Sequence, residues 1–348
     1  MKTLKKISVA ILTLTLFACS NDDTATEENP NPTTDIYVAG NVIDQKAIAV
    51  YWKNGEMIEL TGDWAQPDAY AKAIKVVGQD VYVAGEQMDG QQNFKAVIWK
   101  NGIATNLNTP TGESARVTCM AVDNHDVYVG GILQRNNQTV AVYWKNNEPV
   151  KEFPNGSNDG TARDIAVVNN IVHVVGNRIV DGNQVAMYWR DGYANGITNS
   201  PGYNIAYGIS ITSNNEAYIA LGQTLPQANR TANYWTNGQI FPLSDGSRSE
   251  IAKSITVINN DIFVAGEHYE STTGKRAIKY WKNSEPTILH ESTALSTTNA
   301  MGVSDNKVYI VGFLETAGQR LPTLWSDTQT TNLSTLPGNA EDIFIVKN

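Results

Sequence analysis

The sequence predicts an all-β fold in which one four-stranded unit is repeated seven times. Tryptophan recurs at intervals of 44 to 47 residues, apolar and polar residues alternate at period two around each of these positions, and no stretch shows a helical period. With 41% hydrophobic and 9% aromatic residues among 348, the chain must build a core, which excludes a disordered protein. The periodic tryptophans are Trp52, Trp99, Trp144, Trp189, Trp235, Trp281 and Trp325.

Each repeat contains the same succession of short strands. In the second repeat the first strand has the form A-x-x-I, beginning at Ala71, and the second is DVYVAG (80–85). The third is AVIWKNG (96–102), and a short fourth ends at an aliphatic residue, Leu107. These stretches are rich in β-branched and aromatic residues and are separated by turn residues, which is typical of strands joined by hairpins.

The turn between the third and fourth strands has a specific signature. Asn-Gly and Asp-Gly tolerate the positive φ angles of a type I′ turn, so we expect tight hairpins here. The pairs are Asn54 with Gly55, Asn101 with Gly102, Asp191 with Gly192, and Asn237 with Gly238.

The two ends of the repeated region complement each other. The first repeat begins at DIYVAG (35–40) without a preceding A-x-x-I strand, whereas AEDIFIV (340–346) matches ARDIAVV (162–168) and then the chain stops. We therefore expect the final strand to complete the sheet of the first repeat, which would pair otherwise exposed strand edges.

Four strands in a period of about 45 residues resemble the blades of WD40 and kelch propellers, although neither family's own motif is present. The resemblance implies a seven-bladed β-propeller over residues 35–348, with four-stranded blades and the ring closed by pairing the N- and C-terminal strands in one blade. Because the motifs are missing, no function follows from these families.

The N-terminus has the features of a bacterial lipoprotein. Lys2, Lys5 and Lys6 precede an apolar run at 7–17 that is too short to span a bilayer. The segment Leu16-Phe17-Ala18-Cys19 resembles a lipobox, which implies a signal peptide over 1–18, lipidation of Cys19 and a flexible stalk over 19–34. An ordinary secretory signal with a chance cysteine is the alternative.

The residues after Cys19 bear on location. Ser20 and the acidic tract Asn21–Asp23 resemble a surface-export signal of lipoproteins. The resemblance implies a palmitate-bearing protein anchored in the bacterial outer membrane, and the tract favours display at the cell surface. The periplasmic orientation stays open.

Charge and motif content exclude several classes of function. A formal net charge of −9 argues against a nucleic-acid partner. The four histidines lack metal-ligand spacing, and no nucleotide fingerprint is present, so we expect no metal and no cofactor. Cys119 has no partner once Cys19 is lipidated, which indicates a buried thiol. We expect a monomer.

Two sets of residues are candidates for ligand binding. The connections before the first strand and after the second are the long ones, and in a propeller both lie on one face. Aromatic residues outside the repeat pattern cluster in these connections or at their edges, and they could stack on sugars or cover blade edges. They are Trp64, Tyr70, Tyr203, Tyr207 and Tyr269.

The second set follows the alanine of the first strand, which in a propeller lines the central channel. Three cations in this position would attract a carboxylated or sulfated ligand, unless Asp164, Glu341 and Asp342 neutralise them. In the third repeat the position belongs to Arg116 or Thr118. Elsewhere it is assigned to Lys72, Arg163, Tyr207, Lys253, Met301 and Glu341.

These features predict a lipid-anchored binding protein of the cell envelope, not an enzyme, that recognises a glycan or protein through its long-loop face. A polysaccharide lyase or glycoside hydrolase is the first alternative, with Tyr207, His268, Arg163 and Lys253 suited by residue type alone. Glu86 and Glu267 share a repeat position, which favours a structural role for both. A scaffold subunit of an envelope complex is the second alternative.

Overall fold

The computed structural model describes residues 34–60, 67–89, 93–153, 159–224, 228–327 and 329–348. These ranges contain strands and turns but no helix, and none of their segments is a helix that could cross a bilayer. Thr34–Asn348 is one compact unit. The predicted signal peptide, Cys19 and nearly all of the stalk lie outside the described residues, and so does Trp64.

The strands follow one another in the predicted order. In chain order, the first eleven are β1 (Thr34–Asp44), β2 (Lys46–Lys53), β3 (Glu56–Glu59), β4 (Ala69–Val77), β5 (Asp80–Met88), β6 (Phe94–Lys100), β7 (Ile103–Asn106), β8 (Ser114–Asp123), β9 (Asp126–Arg135), β10 (Gln138–Lys145) and β11 (Lys151–Glu152). The next eight are β12 (Thr161–Val168), β13 (Ile171–Val180), β14 (Asn183–Arg190), β15 (Tyr193–Gly196), β16 (Tyr203–Ile211), β17 (Ala217–Thr224), β18 (Arg230–Thr236) and β19 (Gln239–Pro242). The last nine are β20 (Ser249–Ile258), β21 (Asp261–Tyr269), β22 (Arg276–Lys282), β23 (Glu285–Ser292), β24 (Ser296–Ser304), β25 (Lys307–Thr316), β26 (Gln319–Ser326), β27 (Gln329–Asn332) and β28 (Gly338–Lys347).

Consecutive strands pair antiparallel within each repeat. Across the described ranges, five sheets have four strands: β28-β1-β2-β3, β4-β5-β6-β7, β8-β9-β10-β11, β20-β21-β22-β23 and β24-β25-β26-β27. An eight-stranded sheet contains the fourth and fifth repeats, β12 to β15 and β16 to β19, joined by one parallel pairing of Gln184 with Tyr203.

The last strand of the chain belongs to the sheet of the first repeat. β28 pairs antiparallel with β1, from Thr34 opposite Lys347 to Val42 opposite Gly338. The C-terminus therefore supplies the first strand that the first repeat lacks in its own sequence.

The core lies between neighbouring sheets. Six of the periodic tryptophans are buried, at 0 or 1% exposure, and Trp235 is partly buried. One cluster joins Cys119 of the third repeat with Trp189 of the fourth, so the thiol is buried as predicted. His173 is also buried, with its Nδ1 2.6 Å from the Tyr188 hydroxyl, and burial lowers the pKa of His173 to about 4.

The Asp that begins the second strand contacts the Lys and Asn that follow the tryptophan of the third strand. We call this recurring set of contacts the clasp. Asn101 has a φ of 50°, and its amide donates to Asp80 at 2.8 Å while its Oδ1 accepts from the Val81 N–H at 2.9 Å. Lys100 pairs with Asp80 at 2.8 Å and lies over the Tyr82 ring, 5.0 Å from its centroid. The clasp therefore locks the type I′ turn to the start of the second strand. It recurs at Asp35 with Asn54, Asp126 with Asn146, and Asp261 with Asn283.

The glycine that recurs in the second strand of most repeats has a steric cause. A Cβ on Gly85 would lie 2.0 Å from the Tyr70 carbonyl oxygen and 2.9 Å from the Trp99 indole. Because no side chain fits between a backbone carbonyl and the indole, only glycine allows this packing. In the fifth repeat this position is Leu221, opposite Ala206, and Leu221 is fully buried.

Replacing Trp189 by alanine should cost about 3–5 kcal/mol of unfolding free energy, because the indole is fully buried between two sheets. Tyr193→Ala is the control, since that side chain is 77% exposed and its loss should stay within about 0.5 kcal/mol. Urea denaturation followed by circular dichroism measures both. Equal losses would contradict the assignment of the periodic tryptophans to the core.

Candidate functional site

A β-bulge interrupts the first strand of every repeat at the same position. In β4, Ala71 pairs with Gly85 and Ala73 with Ala84, so Lys72 has no partner in β5. A bulge redirects the side chain of the extra residue. We call the seven residues at these positions the bulge residues: Lys72, Thr118, Arg163, Tyr207, Lys253, Asn299 and Glu341.

The bulge residues meet at two adjoining cavities. The larger cavity measures about 490 Å³ and the smaller about 240 Å³, and all seven bulge residues line both of them. Besides Glu86 of β5 and Ile132 of β9, the larger cavity is lined by residues that precede the bulge, such as Arg116 and Thr298, whereas the smaller is lined by residues that follow it, such as Asp164. The larger cavity therefore lies where the first strands begin, on the side of the long connections.

The structure corrects the assignment of Met301 and decides between Arg116 and Thr118 in the third repeat. Met301 was expected to follow the alanine of the first strand at the channel; it does line the smaller cavity, but it pairs with Ile310 and is buried at 8% exposure, whereas Asn299 holds the bulge position. The A-x-x-I pattern misleads here because Thr298 replaces the usual alanine and donates its hydroxyl to the Gly266 carbonyl at 3.0 Å. In the third repeat, Thr118 is the bulge residue.

Cations predominate in the larger cavity. Its lining contains four basic side chains and two acidic ones, in a chain whose formal net charge is −9. Three of the cations are paired with carboxylates: Lys72 with Glu341 at 2.6 Å, Arg116 with Glu86 at 2.6 Å, and Lys253 with Glu267 at 3.0 Å. The sequence analysis named Glu341 as an acid that could neutralise these cations, but it did not name Glu86 or Glu267 in that role.

Arg163 differs from the other three cations. Its Nε donates to Asn177 Oδ1 at 3.1 Å, and no carboxylate in the described part of the chain pairs with it. Its guanidinium lies over the Tyr207 ring, 5.2 Å from the centroid. Burial lowers the pKa of Arg163, because desolvation disfavours the charged form and no acid offsets it.

Tyr207 contributes an aromatic face at the bulge. A Cβ on Gly222 would come within 3.0 Å of Tyr207 Cε2, so the glycine leaves room for the ring to pack over β17. Burial raises the pKa of the Tyr207 hydroxyl, which keeps it protonated at neutral pH.

Among the described residues, the other predicted aromatic side chains, Tyr70, Tyr203 and Tyr269, do not line either cavity. Tyr70 lies near the larger one, with Lys72 Nζ 5.7 Å from its ring centroid and the Phe94 ring 6.1 Å away. Tyr203 is 65% exposed, and Tyr269 carries the Arg276 guanidinium 4.5 Å from its ring centroid. Of the predicted aromatic residues that the structure describes, Tyr207 therefore lines both cavities, Tyr70 lies beside the larger one, and Tyr203 and Tyr269 are not part of either lining.

Two carboxylates, one buried and one partly buried, connect neighbouring repeats. Glu86, with 0% exposure, accepts hydrogen bonds from the Arg116 guanidinium and from the Val117 N–H at 3.1 Å. Glu267 accepts from the equivalent Thr298 N–H at 2.8 Å. In the sequence, this structural role was indicated by the fact that Glu86 and Glu267 occupy the same position of their repeats.

The residues proposed for lyase chemistry are only partly together. Arg163, Tyr207 and Lys253 line the larger cavity, but His268 does not and is 3% exposed. A tyrosine base needs a lowered pKa, whereas that of Tyr207 is raised. Within the described ranges, no cluster of three or more His, Cys, Asp or Glu side chains is arranged to hold a metal.

Asp164, the residue after Arg163, faces the smaller cavity. It accepts the Ile165 N–H at 2.8 Å and the Ile209 N–H of the next repeat at 2.9 Å. Asp342 binds the Ile74 N–H in the same way, at 2.9 Å. Burial raises the pKa of Asp164 to about 6 despite these donors.

This shift predicts a pH dependence of stability. In the unfolded chain the pKa of Asp164 returns to near 3.8, so the folded state binds the proton more tightly. The free energy of unfolding should therefore fall as pH rises from about 4 to about 6, and this contribution should then level off. Asp164→Asn cannot titrate and should remove this fall.

Urea denaturation across this pH range measures the difference between the two chains. Asp181→Asn is the control, because Asp181 lies at an exposed turn with a φ of 48° that asparagine tolerates. Parallel pH profiles for wild type and Asp164→Asn would overturn the assignment.

No known protein family matches this chain, and no curated protein sequence matches it. Among solved structures it is similar to the β-propeller domain of the Trilobed protease from Pyrococcus furiosus, with a TM-score of 0.54 and 10% identity over 88% of this chain and 98% of that one. It is also similar to a puromycin-hydrolyzing peptidase from Mycobacterium tuberculosis, with a TM-score of 0.56 and 9% identity over 86% of this chain and 54% of that one. An acylaminoacyl peptidase from Pyrococcus horikoshii gives a TM-score of 0.53 and 11% identity over 88% of this chain and 52% of that one.

This chain spans about half the length of these two peptidases. At such low identities the likenesses concern the fold alone. The all-β sheets and these similarities together show a β-propeller architecture.

Proposed function

We propose that this chain is a lipid-anchored binding protein of the bacterial cell envelope that takes an anionic group of a glycan or protein ligand into its larger cavity. The observation that carries the proposal is the charge of that cavity. Four basic and two acidic side chains line it, although acids outnumber bases in the whole chain by 35 to 26. A cationic concavity in an acidic molecule attracts anions locally and repels them elsewhere.

The proposal includes a seven-bladed propeller closed by β28 and β1. Its support is that all seven first strands supply a bulge residue to the same two cavities, and that β28 stands in the sheet of the first repeat. In this arrangement the rigid sheets fix the cavity, and the long connections surround its entrance.

Anchoring at the outer membrane rests on the sequence of residues 16–23. A lipid on Cys19 and an acidic stalk would hold the propeller close to a membrane while leaving it in water. The propeller then meets ligands of the envelope.

Binding through the cavity is tested by filling it. Asn299→Trp places an indole among the bulge residues and should weaken binding at least tenfold, whatever the ligand. The full chain in detergent is titrated with polygalacturonate, heparin, dextran and solubilised envelope proteins. Gln319→Trp, exposed on β26, is the control and should bind as wild type does.

Unchanged binding by Asn299→Trp, with a wild-type melting temperature, would exclude the cavity as the site. Shortening of a polysaccharide during the titration would favour the lyase or hydrolase alternative. Binding of an envelope protein alone, unaffected by Asn299→Trp, would favour the scaffold alternative.

The anchor is tested separately with Cys19→Ser. The wild-type chain should incorporate radiolabelled palmitate and sediment with outer membranes, whereas Cys19→Ser should do neither, because serine offers no thiol for lipidation. A wild-type chain that stays unlabelled and soluble would contradict the anchor without affecting the cavity.

A further inference from the structure

One cation in the larger cavity has no compensating charge. Lys72, Arg116 and Lys253 each have a carboxylate within 3.0 Å, but Arg163 has none among the described residues. Among the described residues only its Nε has a hydrogen-bond partner, Asn177 Oδ1. The N–H groups of its two terminal nitrogens are therefore available to a ligand. Leaving a half-buried guanidinium without an acid is costly, and a bound anion would remove that cost.

The position of Arg163 suits a planar anion. Its guanidinium lies over the Tyr207 ring at 5.2 Å, and the Asn177 bond fixes Nε. These contacts hold the plane of the group while the terminal nitrogens stay unbonded. A carboxylate matches this arrangement, because its two oxygens accept parallel hydrogen bonds from one guanidinium.

From this geometry we infer that the larger cavity binds the carboxylate of a uronic acid residue, with Arg163 as its direct partner. The inference rests on the proposed function and specifies its ligand. One uncompensated charge calls for one negative charge, which a uronate carries on each sugar. A phosphate monoester or a densely sulfated chain brings more charge than Arg163 balances.

The remaining lining favours a sugar over a peptide. Only Val117 and Ile132 are aliphatic, so an apolar peptide side chain would find little to contact. Asn299 donates its amide to Asn339 at 2.9 Å and to the Ala340 carbonyl at 2.8 Å, which leaves its Oδ1 to accept from a hydroxyl. Thr118 also lines the cavity, and because its hydroxyl donates to the Ala162 carbonyl at 2.8 Å, its oxygen can only accept from a ligand hydroxyl. A volume of about 490 Å³ suits a small ligand of this kind.

The test varies first the charged group of the ligand and then the part of the ligand that carries it. Titration calorimetry of the full chain in detergent uses D-glucuronate, the neutral D-glucuronamide, and acetyl-diglycine as a peptide carboxylate. We expect D-glucuronate to bind at least tenfold more tightly than either of the others. Arg163→Gln should lose this preference, and Arg163→Lys should retain part of it, because lysine keeps the charge but not the paired donors.

Arg276→Gln is the matched control, because Arg276 also stacks on a tyrosine, at 4.5 Å, but lies outside the cavity lining. It should bind D-glucuronate as wild type does. Equal affinity for D-glucuronate and D-glucuronamide, or unchanged binding by Arg163→Lys and Arg163→Gln, would overturn the inference, and tighter binding of acetyl-diglycine would overturn the choice of a sugar.

The inference can fail while the proposed function stands. This is the outcome if Asn299→Trp abolishes ligand binding and Arg163→Gln does not. If neither substitution affects ligand binding, the cavity itself is excluded and both fail together.

Discussion

In every repeat the first strand carries one residue more than its partner accommodates, and the consequences extend from the core to the cavities. The strand bends at the bulge, and the carbonyl of the residue two positions earlier approaches the second strand, where a Cβ would lie within 2.1 Å of it in six repeats. Glycine is therefore required beside the tryptophan, as at Gly85 and Trp99. The same bend turns the bulge side chain toward the common cavities. Packing and ligand chemistry thus use different residues, so the bulge residues can vary while the core stays the same.

Ion pairs at the larger cavity also connect repeats, and this explains why only one cation is free to bind. Glu86 of the second repeat holds Arg116 and the Val117 N–H of the third, and Lys72 of the second repeat holds Glu341, which belongs to the sheet of the first. A buried carboxylate is tolerated only when its oxygens are satisfied, so these partners are committed to the fold. Within the described ranges, Arg163 pairs with no acid of a neighbouring repeat.

How much of the fold and of the cavities could be predicted from the sequence depends on how often each feature is repeated. Strand order and turns were predictable, because the same signal recurs in several copies. The bulge position was found where alanine precedes it, as at Lys72 and Arg163, and was misplaced where Thr298 replaces the alanine. Ion-pair partners were harder, since Lys72 and Glu341 are 269 residues apart. The sequence did not show where the long connections end or where a side chain points, which is why Tyr203 and Tyr269, at the ends of β16 and β21, were grouped with Tyr207.

The adjacent residues Arg163 and Asp164 show how the bulge gives the two cavities different character. They carry opposite charges, yet Arg163 contacts Asn177 and Tyr207, whereas both Asp164 oxygens are bound to backbone N–H groups. Above its pKa of about 6, Asp164 is an anion on the lining of the smaller cavity, where Asp342 is balanced by Lys75 at 3.3 Å. The smaller cavity is lined by four basic and three acidic side chains, against four and two in the larger one, so an acidic group gains less attraction once it passes the bulge residues. The charge pattern favours a site that holds its ligand at the bulge over a channel that conducts it through.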